Sequence, residues 1–178
     1  TAISLNERAV QIVVDASRSM WGQIDGRSKM EIAKTTLEEV SYWLPNDLDL
    51  ALRTYGSTTA SEKNNCADSN LLVPFGEDNR EYVRYAIAGL RPTGQTPIAY
   101  ALQQAARDFD SMKTDRTLVL VSDGIESCGG DPVQAAYDLR QQGIVVHLIG
   151  FGLGTGADQD AASLQAIANA SGGRYVTA

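Results

Sequence analysis

Short apolar runs alternate along this chain with segments in which apolar residues recur every three or four positions. The runs that predict strands cover residues 10–14, 48–55, 116–121 and 144–151. Three of them are rich in β-branched residues and lack polar alternation, as expected of parallel strands that are covered on both faces. A sheet built from such strands needs helices on each side, which restricts the fold to a layered α/β arrangement.

The segments between the runs supply those helices. Amphipathic spacing predicts helices over residues 30–44, 80–90, 98–109, 132–142 and 164–168. Residues 71–75 add a short edge strand and residues 174–177 a final one. This succession predicts a doubly wound α/β fold, with a mostly parallel central sheet, helices on both faces and one short antiparallel edge strand.

The length and composition limit the number of domains and the kinds of partner that the chain can have. The chain has 178 residues, 43% of them hydrophobic, so residues 1–178 are expected to form a single domain, cut from a larger protein. A net charge of −7, with 15 scattered basic residues, excludes nucleic acid, because phosphate binding needs clustered Lys and Arg. No run approaches the roughly 18 apolar residues that span a bilayer, so this segment is not expected to insert into a membrane.

Polar residues follow two of the predicted strands at the edge where ligands bind in such folds. Asp15 ends the first strand, and Ser122 and Asp123 end the strand over 116–121. In doubly wound folds the ligand site lies at the carboxyl ends of the strands. The loop RPTGQTP contributes Thr96, which is expected to cap a helix that begins at Pro97.

An all-oxygen set results from these positions. Its members are Asp15, Ser17, Ser19, Thr96 and Asp123. Hydroxyls with one or two carboxylates suit a hard divalent cation, whereas zinc favours His and Cys. Mg²⁺ is the expected ion, with Mn²⁺ or Ca²⁺ as alternatives. Because carboxylates bind a cation only when ionised, affinity is expected to fall as the pH drops towards about 4.

Three separated motifs carry a resemblance to a known family. DASRS, GQTP and SDG resemble the metal-ion-dependent adhesion site of von Willebrand factor type A domains, in the same order and at the same strand ends. The longer segments DASRSMWGQIDG and SDGIESCGGDP resemble the bacterial, exported branch of this family more than they resemble integrin inserted domains. The resemblance implies that Ser17, Ser19 and Thr96 bind the ion through hydroxyls, and that Asp15 and Asp123 act directly or through water.

The resemblance also implies a function. Family members leave one coordination position of the ion for an acidic side chain of a partner, so the expected activity is capture of a protein ligand that presents Asp or Glu. Arg18, often a small residue in relatives, places a second cation beside the site. Trp21 is either a packing residue under the loop or a partner contact.

Two other functions remain as alternatives. A metal-assisted phosphate-ester hydrolase would use the same ion, but Asp15-Ala16-Ser17 lacks the second aspartate of the aspartyl-phosphate enzymes. A structural domain would keep the fold and bind no partner through the metal. The string GLGTGA over 152–157 fits a dinucleotide fingerprint but comes too late in the chain, and it is interpreted as a turn. A non-enzymatic binding module is therefore the prediction.

The two cysteines, Cys66 and Cys128, both lie in polar loops. A disulfide between them would stiffen the candidate site and would place the domain in an oxidising compartment, periplasmic or extracellular. Two free thiols in a cytoplasmic protein are the alternative.

Overall fold

Six strands form one central sheet in the computed structural model, which describes residues 8–109, 113, 115–124, 126–151 and 157–178. Two shorter strands form a separate hairpin. In chain order the eight strands are β1 (Arg8–Asp15), β2 (Gln23–Ile24), β3 (Arg27–Ser28), β4 (Asp49–Tyr55), β5 (Ser69–Gly76), β6 (Asp115–Val121), β7 (Ile144–Gly150) and β8 (Tyr175–Thr177).

The central sheet has the order β5-β4-β1-β6-β7-β8. All neighbouring pairs are parallel except β4 and β5, which are antiparallel. The chain builds outward from β1 first towards β4 and β5, and later towards β6, β7 and β8. The strand order therefore reverses at β1, which is where such folds bind their ligands.

Five α-helices of the described chain cover both faces of this sheet. They are α1 (Lys29–Trp43), α2 (Arg80–Ala88), α3 (Ile98–Asp108), α4 (Pro132–Gln141) and α5 (Ala157–Ser171). Ile12 and Val14 of β1 pack in a core with residues of α1 and α2. Val13 packs in a second core with α3, α4 and α5. Because successive side chains of a strand point to opposite faces, two cores require the continuous apolar run seen in the sequence.

The predicted fold class is confirmed, and the strands differ from the prediction in two respects. The edge strand is antiparallel as expected but is longer than residues 71–75, because β5 pairs with most of β4. The β2–β3 hairpin was not predicted, although its Asp25-Gly26 turn is a strong hairpin signal and both residues have positive φ values. The predicted turn over 152–157 falls on residues 152–156, which lie outside the described residues.

The described part of the chain contains no helix that combines the length and the apolar character needed to cross a membrane.

Gly56, which follows β4, fixes the backbone next to the end of β1. Its φ is +74°, and a Cβ built on it would lie 2.6 Å from the Gln95 carbonyl oxygen and 2.9 Å from Ser17 Cα. Gly172 has a similar φ of +80° but has no atom within 4 Å of such a Cβ. Substitution of Gly172 would therefore test backbone strain alone, whereas substitution of Gly56 would add steric overlap to the same strain.

We predict that Gly172→Ala lowers the free energy of unfolding by about 1–2 kcal/mol, the usual cost of a left-handed alanine. Gly56→Ala should cost roughly 1–3 kcal/mol more, because the added methyl group also overlaps neighbouring backbone. Urea unfolding of both variants measures the difference. Equal costs would show that the loop around Gly56 relaxes freely.

Candidate metal site at the carboxyl edge of the sheet

The adjacent strands β1 and β6 deliver two carboxylates to one edge of the sheet. Val14 pairs with Val121, so Asp15 and the segment from Ser122 to Asp123 leave the sheet side by side. Both carboxylates are buried: Asp15 is 0% exposed and Asp123 is 5% exposed. The sequence prediction that these two residues meet is consistent with this placement.

Asp15 is held by hydrogen bonds to both of its oxygens. Oδ1 accepts from the Ser17 backbone N–H at 2.8 Å, and Oδ2 accepts from Ser122 Oγ at 2.8 Å. Ser122 Oγ in turn accepts from the Tyr55 hydroxyl at 3.1 Å. The orientation of Asp15 is therefore fixed by β4 and β6 as well as by its own loop.

The two serines of DASRS connect Asp15 to Asp123. Ser17 Oγ lies 3.1 Å from Ser19 Oγ, and Ser19 Oγ donates to Asp123 Oδ1 at 2.9 Å. The intervening side chains point elsewhere, since Ala16 is buried in the core and Arg18 is exposed. Four of the five predicted ligands thus belong to one hydrogen-bonded cluster.

Thr96, the fifth predicted ligand, lies in a loop that runs alongside this cluster. Gly94 forms a parallel bridge with Ser17, and its carbonyl accepts from the Arg18 N–H at 2.9 Å. Thr96 itself is 8% exposed and exchanges two hydrogen bonds with Ser127: its N–H donates to Ser127 Oγ, and its carbonyl accepts from the Ser127 N–H. No direct hydrogen bond joins Thr96 to the other four described ligands.

The predicted helix start at Pro97 is wrong by one residue. Helix α3 begins at Ile98, so Pro97 rather than Thr96 occupies the N-cap position, with no side-chain cap of its own. Glu126 provides an anion instead: its Oε1 accepts from the Ala99 N–H at 2.9 Å. A carboxylate from a distant loop satisfies the first turn, which no local motif could reveal.

The predicted disulfide between Cys66 and Cys128 is present in the structure. Cys128 lies in the loop between β6 and α4, and its N–H donates to Glu126 Oε2 at 3.0 Å. Cys66 belongs to the loop between β4 and β5. The bridge ties these two loops together beside the candidate site and is typical of proteins in an oxidising compartment.

Lys29 is a site residue that the sequence analysis missed. Its Nζ lies 2.9 Å from Asp123 Oδ2, and the two side chains are 24% and 2% exposed. Lys29 is the first residue of α1, directly after the capping box formed by Ser28 and Glu31. A positive charge in the first turn of a helix is unfavourable because it opposes the helix dipole. The position of Lys29 in the sequence is therefore a signal that its side chain has an anionic partner elsewhere.

Arg18 and Trp21, the predicted partner contacts, lie at the surface beside the cluster. The Arg18 guanidinium is 2.7 Å from Glu62 Oε1, and both side chains are 67% exposed. Trp21 is 53% exposed, while its Nε1 donates to the Pro92 carbonyl at 2.9 Å. Trp21 therefore packs against the neighbouring loop and still presents part of its ring to solvent. Contact of either residue with a partner stays a prediction.

The electrostatics of the cluster favour a cation. Burial and, to a smaller extent, the charge of the nearby Asp123 together raise the pKa of Asp15 from 3.8 to about 7, while hydrogen bonds from Ser17 and Ser122 oppose the shift. Burial and the charge of Asp15 also raise the pKa of Tyr55 well above 10. A divalent ion would offset the mutual repulsion of the two carboxylates.

The donor set fits a hard cation rather than zinc. The described residues contain no group of three or more His, Cys, Asp or Glu side chains able to hold a metal. The cluster consists instead of two carboxylates and the hydroxyls of Ser17 and Ser19, with Thr96 in the adjoining loop. Oxygen ligands with few carboxylates are what Mg²⁺ takes in proteins.

The fold and this edge define a class of protein: a doubly wound α/β domain with a cluster of carboxylates and hydroxyls where the strand order reverses. A family model narrows the class, because the von Willebrand factor type A domain matches residues 10–178. The chain therefore belongs to the von Willebrand factor type A domain family. Domains of this family are generally interaction modules, and they commonly bind a divalent metal.

A curated protein is similar to this chain in sequence, and solved structures are similar to it in fold. The uncharacterized protein YwmC of Bacillus subtilis strain 168 is 33% identical over 175 residues, which cover 95% of this chain and 76% of YwmC. The conserved hypothetical protein BatB from Bacteroides thetaiotaomicron has a TM-score of 0.79 at 22% identity, covering 96% of this chain and 90% of BatB. Proximal thread matrix protein 1 from the mussel byssus, with zinc in its MIDAS motif, has a TM-score of 0.69 at 18% identity, covering 96% of this chain and 43% of that one.

The raised pKa of Asp15 predicts how the stability of the ion-free protein changes with pH. The unfolded chain loses this proton near pH 3.8 and the folded chain near pH 7, so the folded state binds the additional proton between these values. Stability should therefore fall as the pH rises from about 4 to about 7, by on the order of 4 kcal/mol from this group.

Asp15→Asn should abolish this decline and leave the ion-free protein more stable than the parent at pH 8. Asp47→Asn, which removes an exposed carboxylate, is the matched control. Urea unfolding at several pH values in the presence of a chelator measures both variants. An unchanged decline in Asp15→Asn would show that other groups cause it.

Removal of the disulfide is predicted to destabilise the domain. The double variant Cys66→Ser/Cys128→Ser opens a bridge between residues 62 positions apart. The chain-entropy treatment gives a loss of about 4 kcal/mol in the free energy of unfolding. Comparison of its urea midpoint with that of the oxidised parent checks the value, and matching midpoints would contradict it.

Proposed function

We propose that this domain is a metal-dependent protein-binding module that captures an acidic side chain of a partner through a divalent cation. The observation that carries the proposal is the cluster in which Asp15, Ser17, Ser19 and Asp123 meet at the switch point of the sheet. Two buried carboxylates and adjacent hydroxyls form a site whose charge a cation would balance. Thr96 is the further ligand that we propose from the adjoining loop.

The hydroxyls give the proposed ion its capacity to bind a partner. A cation held mainly by neutral oxygens retains positive charge, which would favour one further anionic ligand. An Asp or Glu side chain of a partner supplies such a ligand. The residues of this chain would hold the ion, and its remaining ligand would come from the partner, so no chemical step on the partner is needed.

Mg²⁺ is the ion we propose, because hard oxygen donors with few carboxylates suit it. Mn²⁺ and Ca²⁺ take similar ligands and are tested alongside it. The mussel protein with zinc in its MIDAS motif shows that this fold can hold a divalent metal in that motif. This supports the location of the site rather than the choice of ion.

Arg18 and Trp21 are proposed to contact the partner beside the ion. The exposed pair between Arg18 and Glu62 contributes little to stability, and a partner carboxylate could replace Glu62 in it. Trp21 offers a partly exposed aromatic ring on the same side of the site. The partner surface that fits is therefore an acidic residue with an apolar neighbour.

An exported location, periplasmic or extracellular, is part of the proposal. The Cys66–Cys128 disulfide supports it because such bridges persist where the environment is oxidising. Catalysis is not proposed, because Asp15 and the neighbouring Ser122 are both fully buried. Neither group is placed to serve as a nucleophile or base for a bound substrate.

We expect calorimetric titration of the chelator-treated protein with Mg²⁺ to show one site. Asp15→Ala and Ser17→Ala should remove most of the binding heat. Ser41→Ala, which truncates a buried serine on α1 outside the cluster, should leave it intact. Full binding in both cluster variants would place the ion elsewhere.

The affinity for Mg²⁺ should depend on pH near neutrality rather than near pH 4. Asp15 must lose a proton for the ion to bind, and its pKa is about 7. Affinity is therefore expected to fall by about tenfold per pH unit below pH 7 and to level off above it. Titrations between pH 5.5 and 8.5, about the range in which this proton is lost, measure this profile. A flat profile would contradict the role of Asp15.

Partner capture should require the ion. Pull-down from extracts of the parent organism, with Mg²⁺ or with chelator, compares the wild-type domain with Thr96→Ala. We expect Mg²⁺-dependent partners that Thr96→Ala retains poorly, and whose binding is lost when a surface Asp or Glu of the partner is replaced. Equal retention in chelator would show that the domain binds through another surface.

A further inference from the structure

Lys29 makes a partly buried ion pair that the proposed function does not explain. Its Nζ donates to Asp123 Oδ2 at 2.9 Å, and the Asp123 side chain is 2% exposed. Moving a lysine into such a place costs desolvation and rotamer entropy, and its position at the start of α1 adds unfavourable dipole energy. A role in general solubility would not require this position.

The surroundings hold Lys29 at both its backbone and its side chain. Its N–H donates to the Gly22 carbonyl at 2.8 Å, which couples the start of α1 to the end of the Arg18–Trp21 turn. A Cβ built on Gly22 would lie 3.5 Å from Lys29 Cε and Nζ, so the lysine passes directly over this residue. The ammonium is therefore directed at Asp123 by the fold.

The two oxygens of Asp123 are thus divided between different partners. Oδ1 accepts from Ser19 Oγ, a proposed ligand of the ion, at 2.9 Å. Oδ2 accepts from Lys29 Nζ. A carboxylate that already accepts a charged hydrogen bond is less available to bind a cation directly, and the ammonium also repels that cation.

We propose that Lys29 is a positioning residue that holds Asp123 back from direct coordination, so that the ion keeps the charge it needs for a partner carboxylate. This inference rests on the proposed function. It implies that Lys29 lowers the affinity of the domain for the ion and raises the affinity of the bound ion for an acidic side chain. Replacing it should change the two properties in opposite directions.

Three variants separate charge from shape. Lys29→Met removes the charge and the donor, Lys29→Gln removes the charge but keeps a donor, and Lys29→Arg keeps both. Lys34→Met is the matched control, because Lys34 lies on the same helix and donates to the Ala88 carbonyl rather than to a carboxylate. All proteins are titrated with Mg²⁺ at pH 8, where affinity has levelled off.

We expect Lys29→Met and Lys29→Gln to bind Mg²⁺ about tenfold more tightly, because a unit positive charge near the ion is gone. Lys29→Arg and Lys34→Met should match the wild type. Water proton relaxation with Mn²⁺ as the probe gives a second readout, in which Lys29→Met should hold about one fewer exchangeable water as Asp123 becomes a direct ligand. A purely structural ion pair would not change this count.

The outcomes distinguish the inference from the proposed function. The inference alone is overturned if Lys29→Met and Lys29→Gln both bind Mg²⁺ no more tightly than the wild type and the number of exchangeable waters is unchanged. Absence of binding in all the proteins overturns both. A variant that binds Mg²⁺ while the wild type does not would overturn both, because Lys29 would then take the place of the ion.

Discussion

Burial of the Asp15 carboxylate at the end of the central strand is the constraint on which the site depends. Ser17 and Ser122 satisfy its two oxygens, and Tyr55 supports Ser122 from the neighbouring strand. These bonds join β1, β4 and β6 at the point where the strand order reverses. Because these bonds only partly offset burial and the charge of Asp123, the pKa of Asp15 stays near 7. A cation at this edge would stabilise the ionised form of Asp15.

The loops around this edge are held together by contacts distant in sequence. The loop that contains Thr96 is paired with Ser17 through Gly94 and with the loop after β6 through Ser127. The disulfide then links that last loop to the segment between β4 and β5. Such cross-links fix loops that carry few apolar side chains of their own, which is what a preformed binding site requires.

Much of the fold could be predicted because its signal is local. Apolar runs without alternation identify buried parallel strands, and a three-or-four spacing identifies the helices that cover them. The start of α3 was misplaced because its first turn is capped by Glu126 from another loop. The contact of Lys29 with Asp123 was missed for the same reason, since the two residues are 94 positions apart.

The sequence by itself determined the family, the sheet with its two cores, and the oxygen-bearing residues at the strand ends, because periodicity and short motifs are properties of neighbouring residues. Only the tertiary structure decided the chemistry of the edge. It brought Lys29 to Asp123 and moved the pKa of Asp15 from 3.8 to about 7, because burial and charge pairing exist only once β1 and β6 lie side by side.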